Sequence, residues 1–160
     1  TWTHDIHMIA DALRRRFGPE AAATYYGGTP QDERQQIVTD FQNPDSPLRF
    51  FIGQPKTGGY GITLTAAQTM IYYSNSQPKT GGYGITLTAA STVIYYSNSY
   101  DLEIRLQSED RAHRIGQKGT VTYIDLMAPN TIDEKIISAL RGKIDIAGKV
   151  LGENAKQWLI

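Results

Sequence analysis

The chain has 160 residues and a mass of 17.8 kDa, which suits one domain with a buried core. Sixteen Lys and Arg residues balance sixteen Asp and Glu residues, so any binding of nucleic acid must come from a local site and not from bulk charge. The absence of cysteine excludes disulfides, thiol catalysis and zinc-thiolate sites. No apolar run approaches the ~18 residues of a membrane span and no signal peptide is evident. A start at Thr1 without Met favours a segment of a longer protein.

The first 53 residues predict alternating helices and strands. Helical spacing of apolar residues predicts a helix over residues 4–17, and a short apolar run predicts a strand over residues 21–26. Thr29 and Pro30 predict the N-cap and first position of a second helix. That helix is expected to bury Ile37, Val38 and Phe41, to end at Asn43-Pro44, and to precede a strand over residues 48–52.

A tandem duplication follows. Residues 54–76 read QPKTGGYGITLTAAQTMIYYSNS, and residues 77–99 differ from them only by Ser91 for Gln68 and Val93 for Met70. Two copies are too few for a solenoid, which needs about three stacked units. We therefore interpret the repeat as a local insertion into a lobe of 160 − 23 = 137 residues.

Each copy predicts a glycine-rich loop, a short helical ITLTAA segment and a strand, over residues 70–73 and 93–96. Valine suits a strand better than methionine does. The strand of copy two is therefore expected to take the regular place in the sheet, and copy one to be extruded or rebuilt as helix. Exposure of its apolar residues would favour a dimer or a domain swap.

The remaining residues complete an α/β pattern. Asp101 is expected to cap a helix that runs to about His113, and a strand is predicted over residues 121–127. Thr131 and Glu134 predict a capping box for the closing helices of residues 131–160. Alternating strands and helices predict a parallel sheet with helices on both faces. No strand precedes the first helix, so the first strand of the sheet is expected to be largely absent.

Two features suggest a phosphate-binding site. Gln107, Arg111 and Arg114 are spaced i, i+4 and i+7, which places them on one helical face, while Leu102 and Leu106 are expected to pack on the sheet. Two guanidiniums and an amide can bind phosphate oxygens. The alternative is a solvated face on which Glu103, Glu109 and Asp110 pair with the arginines.

The second feature is the glycine-rich loop of each copy. Its glycines allow close approach of a ligand to the backbone, and they are Gly58, Gly59 and Gly61 in copy one and Gly81, Gly82 and Gly84 in copy two. A tight turn without a ligand is the alternative. Gly59 stands where a Walker A loop requires lysine, which excludes a P-loop. The three histidines lack metal-ligand spacing, so no metal site is predicted.

The sequence resembles a known family along most of its length. GGYGITLTAA and QSEDRAHRIGQ closely resemble motifs V and VI of Swi/Snf-family ATPases in helicase superfamily 2. TWTHDIHMIADAL resembles the region of motif IV, YYGGTPQDERQQIVTDFQ the segment before the next strand, and TIDEKIISALRGKIDIAGKVLG the helix that closes the second lobe. The resemblance implies that residues 1–160 form a single second RecA-like lobe.

The resemblance also implies how such a lobe works. ATP with Mg²⁺ would lie between two lobes and be held mainly by the first lobe, which this chain lacks. Arg111 and Arg114 match the arginine fingers, and Gln107 matches the motif VI glutamine that helps to join the lobes around nucleotide. The loop glycines, together with Thr63 and Thr86, match the motif V segment near DNA and nucleotide. The implied activity is translocation along double-stranded DNA, and the lobe alone is expected to be inactive.

Two other functions remain open. The duplication would disable motif V in a non-catalytic scaffold or interaction domain. A strand-separating helicase of the same superfamily is the third interpretation, which the RAHRIGQ motif disfavours. The compact lobe lacks lysine-rich insertions, which favours a bacterial or viral cytoplasmic protein over a nuclear one.

Overall fold

A computed structural model of the chain describes residues 2–54, 61–74, 85–109, 111–112 and 119–151. The chain divides into two compact units. Unit 1 contains Thr1–Ala67 and Pro78–Ala89, and unit 2 contains Gln68–Gln77 and Ala90–Ile160. Each copy of the repeat therefore contributes its first part to unit 1 and its strand to unit 2.

Unit 1 contains two helices and a parallel pair of strands. In chain order they are α1 (Trp2–Phe17), β1 (Ala22–Tyr25), α2 (Gln31–Gln42) and β2 (Phe50–Gly53). These elements confirm the predicted order, and Ala22 of β1 pairs with Phe50 of β2. Ile6 and Ala10 of α1 are buried, as helical periodicity predicts. The three residues predicted to be buried by α2 are only half-buried.

The predicted N-cap of α2 is wrong. Pro30 occupies the cap position, and no side chain caps the helix. Thr29 instead closes the turn after β1, because its hydroxyl accepts a hydrogen bond from the amide of Tyr26 and donates one to the carbonyl of Thr24. Only 6% of Thr29 is exposed. Because its hydroxyl makes its hydrogen bonds within this turn, it does not cap the helix.

Unit 2 contains a three-stranded parallel sheet and two helices. Its elements are β3 (Thr69–Tyr72), β4 (Thr92–Tyr95), α3 (Leu102–Glu109), β5 (Thr122–Asp125) and α4 (Ile132–Leu151). The strand order is β3-β4-β5. The predicted parallel strands with flanking helices are confirmed, but the described strands form two sheets, β1-β2 and β3-β4-β5, where the sequence predicts one sheet. No helix among the described residues is long and apolar enough to span a membrane.

The two copies of the repeat pair with each other in register. Thr69 lies opposite Thr92 and Tyr72 opposite Tyr95, an offset of 23 residues, so each residue faces its own duplicate. The prediction that copy one is extruded or helical is therefore wrong, since its strand extends the sheet as β3. Copy two does take the inner place: Val93 and Tyr95 are fully buried between β3 and β5, whereas Ile71 of β3 is 62% exposed.

The ITLTAA segments are not helical. Thr63 and Thr86 form an isolated parallel bridge, and each segment then makes a turn. The amide of Leu64 donates to the carbonyl of Thr86 (2.9 Å), and the amide of Thr86 donates to the carbonyl of Ile62 (2.8 Å). Three β-branched residues in six lower the helix propensity, and pairing between the copies satisfies the same backbone groups.

The caps of the last two helices match their predictions in part. Asp101 accepts hydrogen bonds from the amides of Glu103 and Ile104, which confirms it as the cap of α3. Thr131 accepts from the amide of Asp133 at the start of α4. Glu134 accepts from the amide of Asn130 and not from that of Thr131, so the capping box is displaced by one residue.

Candidate functional site

The predicted helical face of Gln107, Arg111 and Arg114 is interrupted. The helix α3 ends at Glu109, so Arg111 lies in the turn that follows and does not continue the face of Gln107. Gln107 is exposed, and its amide donates to the carboxylate of Glu103 (3.0 Å). Arg114 lies outside the described residues.

Arg111 lies against the sheet of unit 2. It is half-buried, and its guanidinium lies near enough to the hydroxyl of Tyr72 to act on the pKa of that tyrosine. The same hydroxyl donates to the carbonyl of Ser108 on α3 (3.1 Å). Burial raises the pKa of Tyr72 well above its ordinary value, although the charge of Arg111 acts in the opposite direction. The guanidinium therefore lies beside a buried phenol of β3, just after the end of α3.

Tyr95 repeats this arrangement one strand away. Its ring stacks on that of Tyr72, and its hydroxyl lies 2.7 Å from the hydroxyl of Ser108. Ser108 in turn donates to the carbonyl of Arg105 (2.6 Å). Burial raises the pKa of Tyr95 far above its ordinary value, and the hydrogen bond to Ser108 only partly opposes this. Both duplicated tyrosines thus anchor α3 through one buried serine.

The sequence reasoning missed Arg105, the most connected side chain of unit 2. Only 7% of Arg105 is exposed, and its guanidinium pairs with the carboxylates of Asp125 and Glu109 and donates to Asn98 (2.9 Å). The guanidinium also lies 3.6 Å from the ring centre of Tyr95. Burial acts to lower the pKa of Arg105, but the hydrogen bonds to the two carboxylates outweigh it and raise the pKa.

The buried face of α3 is therefore not the predicted leucine stripe. Leu102 and Leu106 are only half-buried, whereas Arg105 and Ser108 are buried. A signal was present in the sequence: Arg105 and Glu109 stand at i and i+4, the spacing of a helical ion pair. Arg105 is thus a structural residue of α3. It is distinct from Arg111 and Arg114, the two arginines predicted to bind phosphate.

The glycine-rich loop is described only at its end. Gly61 has a φ of +71°, a conformation that disfavours any side chain, so this turn favours glycine. Thr63 and Thr86 lie side by side in unit 1. Gly58, Gly59, Gly81, Gly82 and Gly84 lie outside the described residues.

Gln42 of α2 holds the exit of the copy-one loop. Its amide donates to the carbonyl of Thr63 (2.8 Å), and its side-chain oxygen accepts from the amide of Ala66 (2.8 Å) and the hydroxyl of Thr65. Leu64, which lies in the segment that Gln42 contacts, is buried, and so is its duplicate Leu87. The site residues are thus divided: Gly61, Thr63 and Thr86 belong to unit 1, and Gln107 and Arg111 to unit 2.

Comparison with known proteins finds similarity to a helicase domain family and to chromatin-remodelling ATPases. The family model "Helicase conserved C-terminal domain" matches residues 1–80. The chain is 33% identical over 125 residues to transcription regulatory protein SNF2 of Saccharomyces cerevisiae, and 36% identical over 127 residues to chromatin-remodeling ATPase INO80 of Cryptococcus neoformans. These alignments cover 78% and 79% of this chain but only 6% of each relative.

A solved structure supports the fold. The C-terminal part of the Fun30 ATPase domain matches with a TM-score of 0.52 and 25% identity, over 86% of this chain and 36% of that one. The resemblance to the second lobe of Swi/Snf-type ATPases is confirmed. The predicted bacterial or viral cytoplasmic location is wrong, because the relatives are eukaryotic remodelling proteins, among them nuclear protein STH1/NPS1 of Saccharomyces cerevisiae. A compact lobe without lysine-rich insertions does not distinguish these sources.

Proposed function

Because the chain belongs to the helicase conserved C-terminal domain family, we propose that it is the second lobe of an ATP-dependent translocase on double-stranded DNA. The observation that carries the proposal is the setting of Arg111, which follows a capped helix and lies half-buried beside the buried hydroxyl of Tyr72. A cation held by the folded lobe requires little reorganisation when phosphate charge develops nearby.

ATP would supply the phosphoryl group that is cleaved. The residues fit a contributing role only: Arg111 offers a guanidinium, and Gly61 offers backbone that approaches a ligand without a side chain. Gly59 cannot replace the lysine of a Walker A loop. The described residues contain no group of three side chains suited to a metal ion, so the proposal assigns Mg²⁺ and most nucleotide contacts to a first lobe.

In this proposal the two arginines, Arg111 and Arg114, neutralise charge on the phosphoryl group during transfer. Gln107 exchanges its hydrogen bond with Glu103 for a contact across the cleft. The motif V segment, including Thr63, contacts the DNA backbone, where phosphate contacts fix position without reading sequence. Cycles of closure and opening would then move the lobes along the duplex.

The test joins this chain to a first lobe and measures DNA-stimulated ATP hydrolysis. We expect Arg114→Ala and Arg111→Ala each to lower kcat by about 10³-fold or more, in line with the loss of an arginine finger. Lys135→Ala, which removes an exposed charge on α4, should leave kcat unchanged. Hydrolysis that survives both arginine substitutions would contradict the proposal, as would DNA-stimulated turnover by this chain alone.

A second function has one observation in its favour. The two motif V copies bond to each other between Ile62, Leu64 and Thr86, which occupies backbone groups in the segment proposed to contact DNA. The chain would then be a non-catalytic scaffold. Deletion of residues 77–99 distinguishes the two functions: activity that arises only after the deletion favours the scaffold, and activity present before it favours the motor.

A further inference from the structure

The end of α2 presents the side chain of Gln42 from a fixed backbone. The helix ends at Gln42, and the amide of Asn43, which follows it, donates to two carbonyls of the last turn. The ring of Phe41 packs edge-on against the ring of Phe51 on β2, with centroids 5.7 Å apart. The cap and the ring contact therefore fix the point from which the half-buried side chain of Gln42 extends.

Three hydrogen bonds join the side chain of Gln42 to copy one of the repeat. Its amide donates to the carbonyl of Thr63 (2.8 Å), and its oxygen accepts from the amide of Ala66 (2.8 Å). The same oxygen accepts from the hydroxyl of Thr65 (3.3 Å). A carboxamide oxygen has two lone pairs, so these two bonds use its whole accepting capacity. The oxygen cannot accept from the equivalent groups of copy two at the same time.

Copy two lies on the other side of copy one. The carbonyl of Ile62 accepts from the amide of Thr86, whose own carbonyl accepts from the amide of Leu64. Neighbouring residues of an extended segment turn their backbone groups to opposite edges. The carbonyl of Thr63 therefore faces Gln42. The bonded groups of Ile62 and Leu64, on either side of it, face copy two. Within unit 1, the copy-one segment thus separates Gln42 from its own duplicate.

The order of the chain also favours copy one at this position. The amide of Ala66 lies 24 residues after Gln42, and its duplicate Ala89 lies 23 residues further along. A loop of twice the length closes roughly threefold less readily, because the entropy of closure rises with the logarithm of loop length. Residues 54–67 and 77–90 are identical, so no side chain of copy two offsets this difference.

We propose that Gln42 is a positioning residue that selects copy one as the working motif V segment of this lobe. Its hydrogen bonds fix Thr63 and the turn that follows in relation to α2, while copy two is attached to copy one. The inference rests on the proposed function, in which the motif V segment that includes Thr63 contacts the DNA backbone. Gln42 itself touches neither DNA nor nucleotide, and it acts through copy one.

The first test is amide hydrogen exchange of the full chain by nuclear magnetic resonance, which requires neither ATP nor a first lobe. Gln42→Met keeps the length and the helix propensity of the side chain but removes its hydrogen-bonding groups. We expect exchange at Ala66 to accelerate about fivefold, as the loss of one hydrogen bond predicts, and exchange at Ala89 to stay the same. The matched control is Gln36→Met, on an exposed glutamine of the same helix that bonds Asp40.

Gln42→Glu separates hydrogen bonding from packing. A carboxylate keeps the acceptor oxygens for Ala66 and Thr65 but has no hydrogen to donate to Thr63. Gln42→Glu should therefore retain the slow exchange at Ala66 that Gln42→Met loses, and equally fast exchange in both variants would exclude the acceptor oxygen as the cause. Equal acceleration at Ala66 and Ala89 in Gln42→Met, or no acceleration at either, would overturn the selection of copy one.

The second test asks whether the selected copy works in the motor. The chain is joined to a first lobe, and ATP hydrolysis is measured as DNA is titrated. We expect Gln42→Met to raise the DNA concentration for half-maximal hydrolysis about fivefold, more than it changes kcat, and Gln36→Met to leave that concentration unchanged. Thr65→Val, which removes a hydroxyl bonded to Gln42, should act in the same direction. Thr88→Val, the same change in copy two, should not.

The two tests can fail separately. If the joined protein hydrolyses no ATP in response to DNA, the proposed function is wrong, and the exchange measurement still decides whether Gln42 selects copy one. If hydrolysis responds to DNA but Gln42→Met leaves the DNA dependence unchanged, the motor stands and the positioning role is overturned. A larger effect of Thr88→Val than of Thr65→Val would assign the motif V role to copy two.

Discussion

Tyr72 and Tyr95 are the same residue of the two repeat copies, and their rings stack face to face with centroids 5.1 Å apart and planes 8° from parallel. Both hydroxyls bond Ser108, one through its carbonyl and the other through its hydroxyl. The duplication has therefore been absorbed by the regular hydrogen-bonding pattern of a parallel sheet. The extra segment adds a strand and supplies a second anchor for α3.

Removal of the buried hydroxyl of Tyr95 should show how much its hydrogen bond to Ser108 contributes to the free energy of unfolding. Tyr95→Phe leaves the ring in place but removes the hydrogen bond to Ser108, and we expect a loss of about 1 kcal/mol in the free energy of unfolding. Tyr96→Phe, on a 56% exposed side chain, should change it by less than ~0.5 kcal/mol. Urea unfolding of both variants gives the comparison, and equal losses would contradict a specific role for the buried hydroxyl.

The free energy of unfolding should fall in alkaline solution because Tyr72 and Tyr95 are buried. Burial raises the pKa of Tyr72 and of Tyr95 above the value of about 10 that unfolded tyrosine has. The folded state then binds protons that the unfolded state releases above about pH 10, so this contribution is complete below that pH and is lost as the pH rises towards the folded-state pKa values.

The measurement is the free energy of unfolding between about pH 8 and pH 11. We expect a decline that steepens above about pH 10, with two tyrosines that ionise only on unfolding in an ultraviolet absorbance titration. A variant with both Tyr72→Phe and Tyr95→Phe should show a shallower decline. Free ionisation of all ten tyrosines in the folded chain would exclude this explanation.

Loss of Arg105 should destabilise unit 2 more than loss of an exposed cation. Arg105→Met would leave Asp125 and Glu109 partly buried without their shared partner, at a cost of about 3 kcal/mol. Lys135→Met removes the same charge from an exposed position on α4 and should cost less than ~0.5 kcal/mol. Thermal unfolding compares them, and similar midpoints would mean that the ion cluster contributes little.

Exchange of the two residues that differ in the strands should reveal which copy lies inside. Val93 is fully buried, so Val93→Met should cost about 1–3 kcal/mol through overpacking. Met70 is only half-buried at the edge, and Met70→Val should have a small effect, under about 1 kcal/mol. Chemical denaturation tests both variants. A larger loss from Met70→Val than from Val93→Met would place copy one in the centre.

Much of the fold could be predicted from the sequence. The order of helices and strands follows from apolar periodicity and from the turn residues between elements, and Asp101 identifies the start of α3. The fate of the repeat could not be predicted in this way. Sequence reasoning treated one copy as surplus, because local propensity does not reveal that a parallel sheet accepts an identical strand with its hydrogen bonds satisfied.

The candidate site was predicted less completely for a similar reason. Spacing alone extends the helix of Gln107 through Arg111, but the described helix ends at Glu109, and Arg111 lies beside Tyr72, which comes from a distant part of the chain. The sequence did not single out Arg105, since its partner Asp125 lies 20 residues away on β5.

The neutral composition, the absence of cysteine, the near-identical copies and the helicase-like motifs were determined by the sequence itself. Only the tertiary structure decided that the copies pair side by side, that their tyrosines converge on Ser108, and that β4 lies between β3 and β5. The physical reason is that sequence periodicity specifies which face of an element is apolar. The neighbours of that face are selected by hydrogen bonding and packing between segments far apart in the chain.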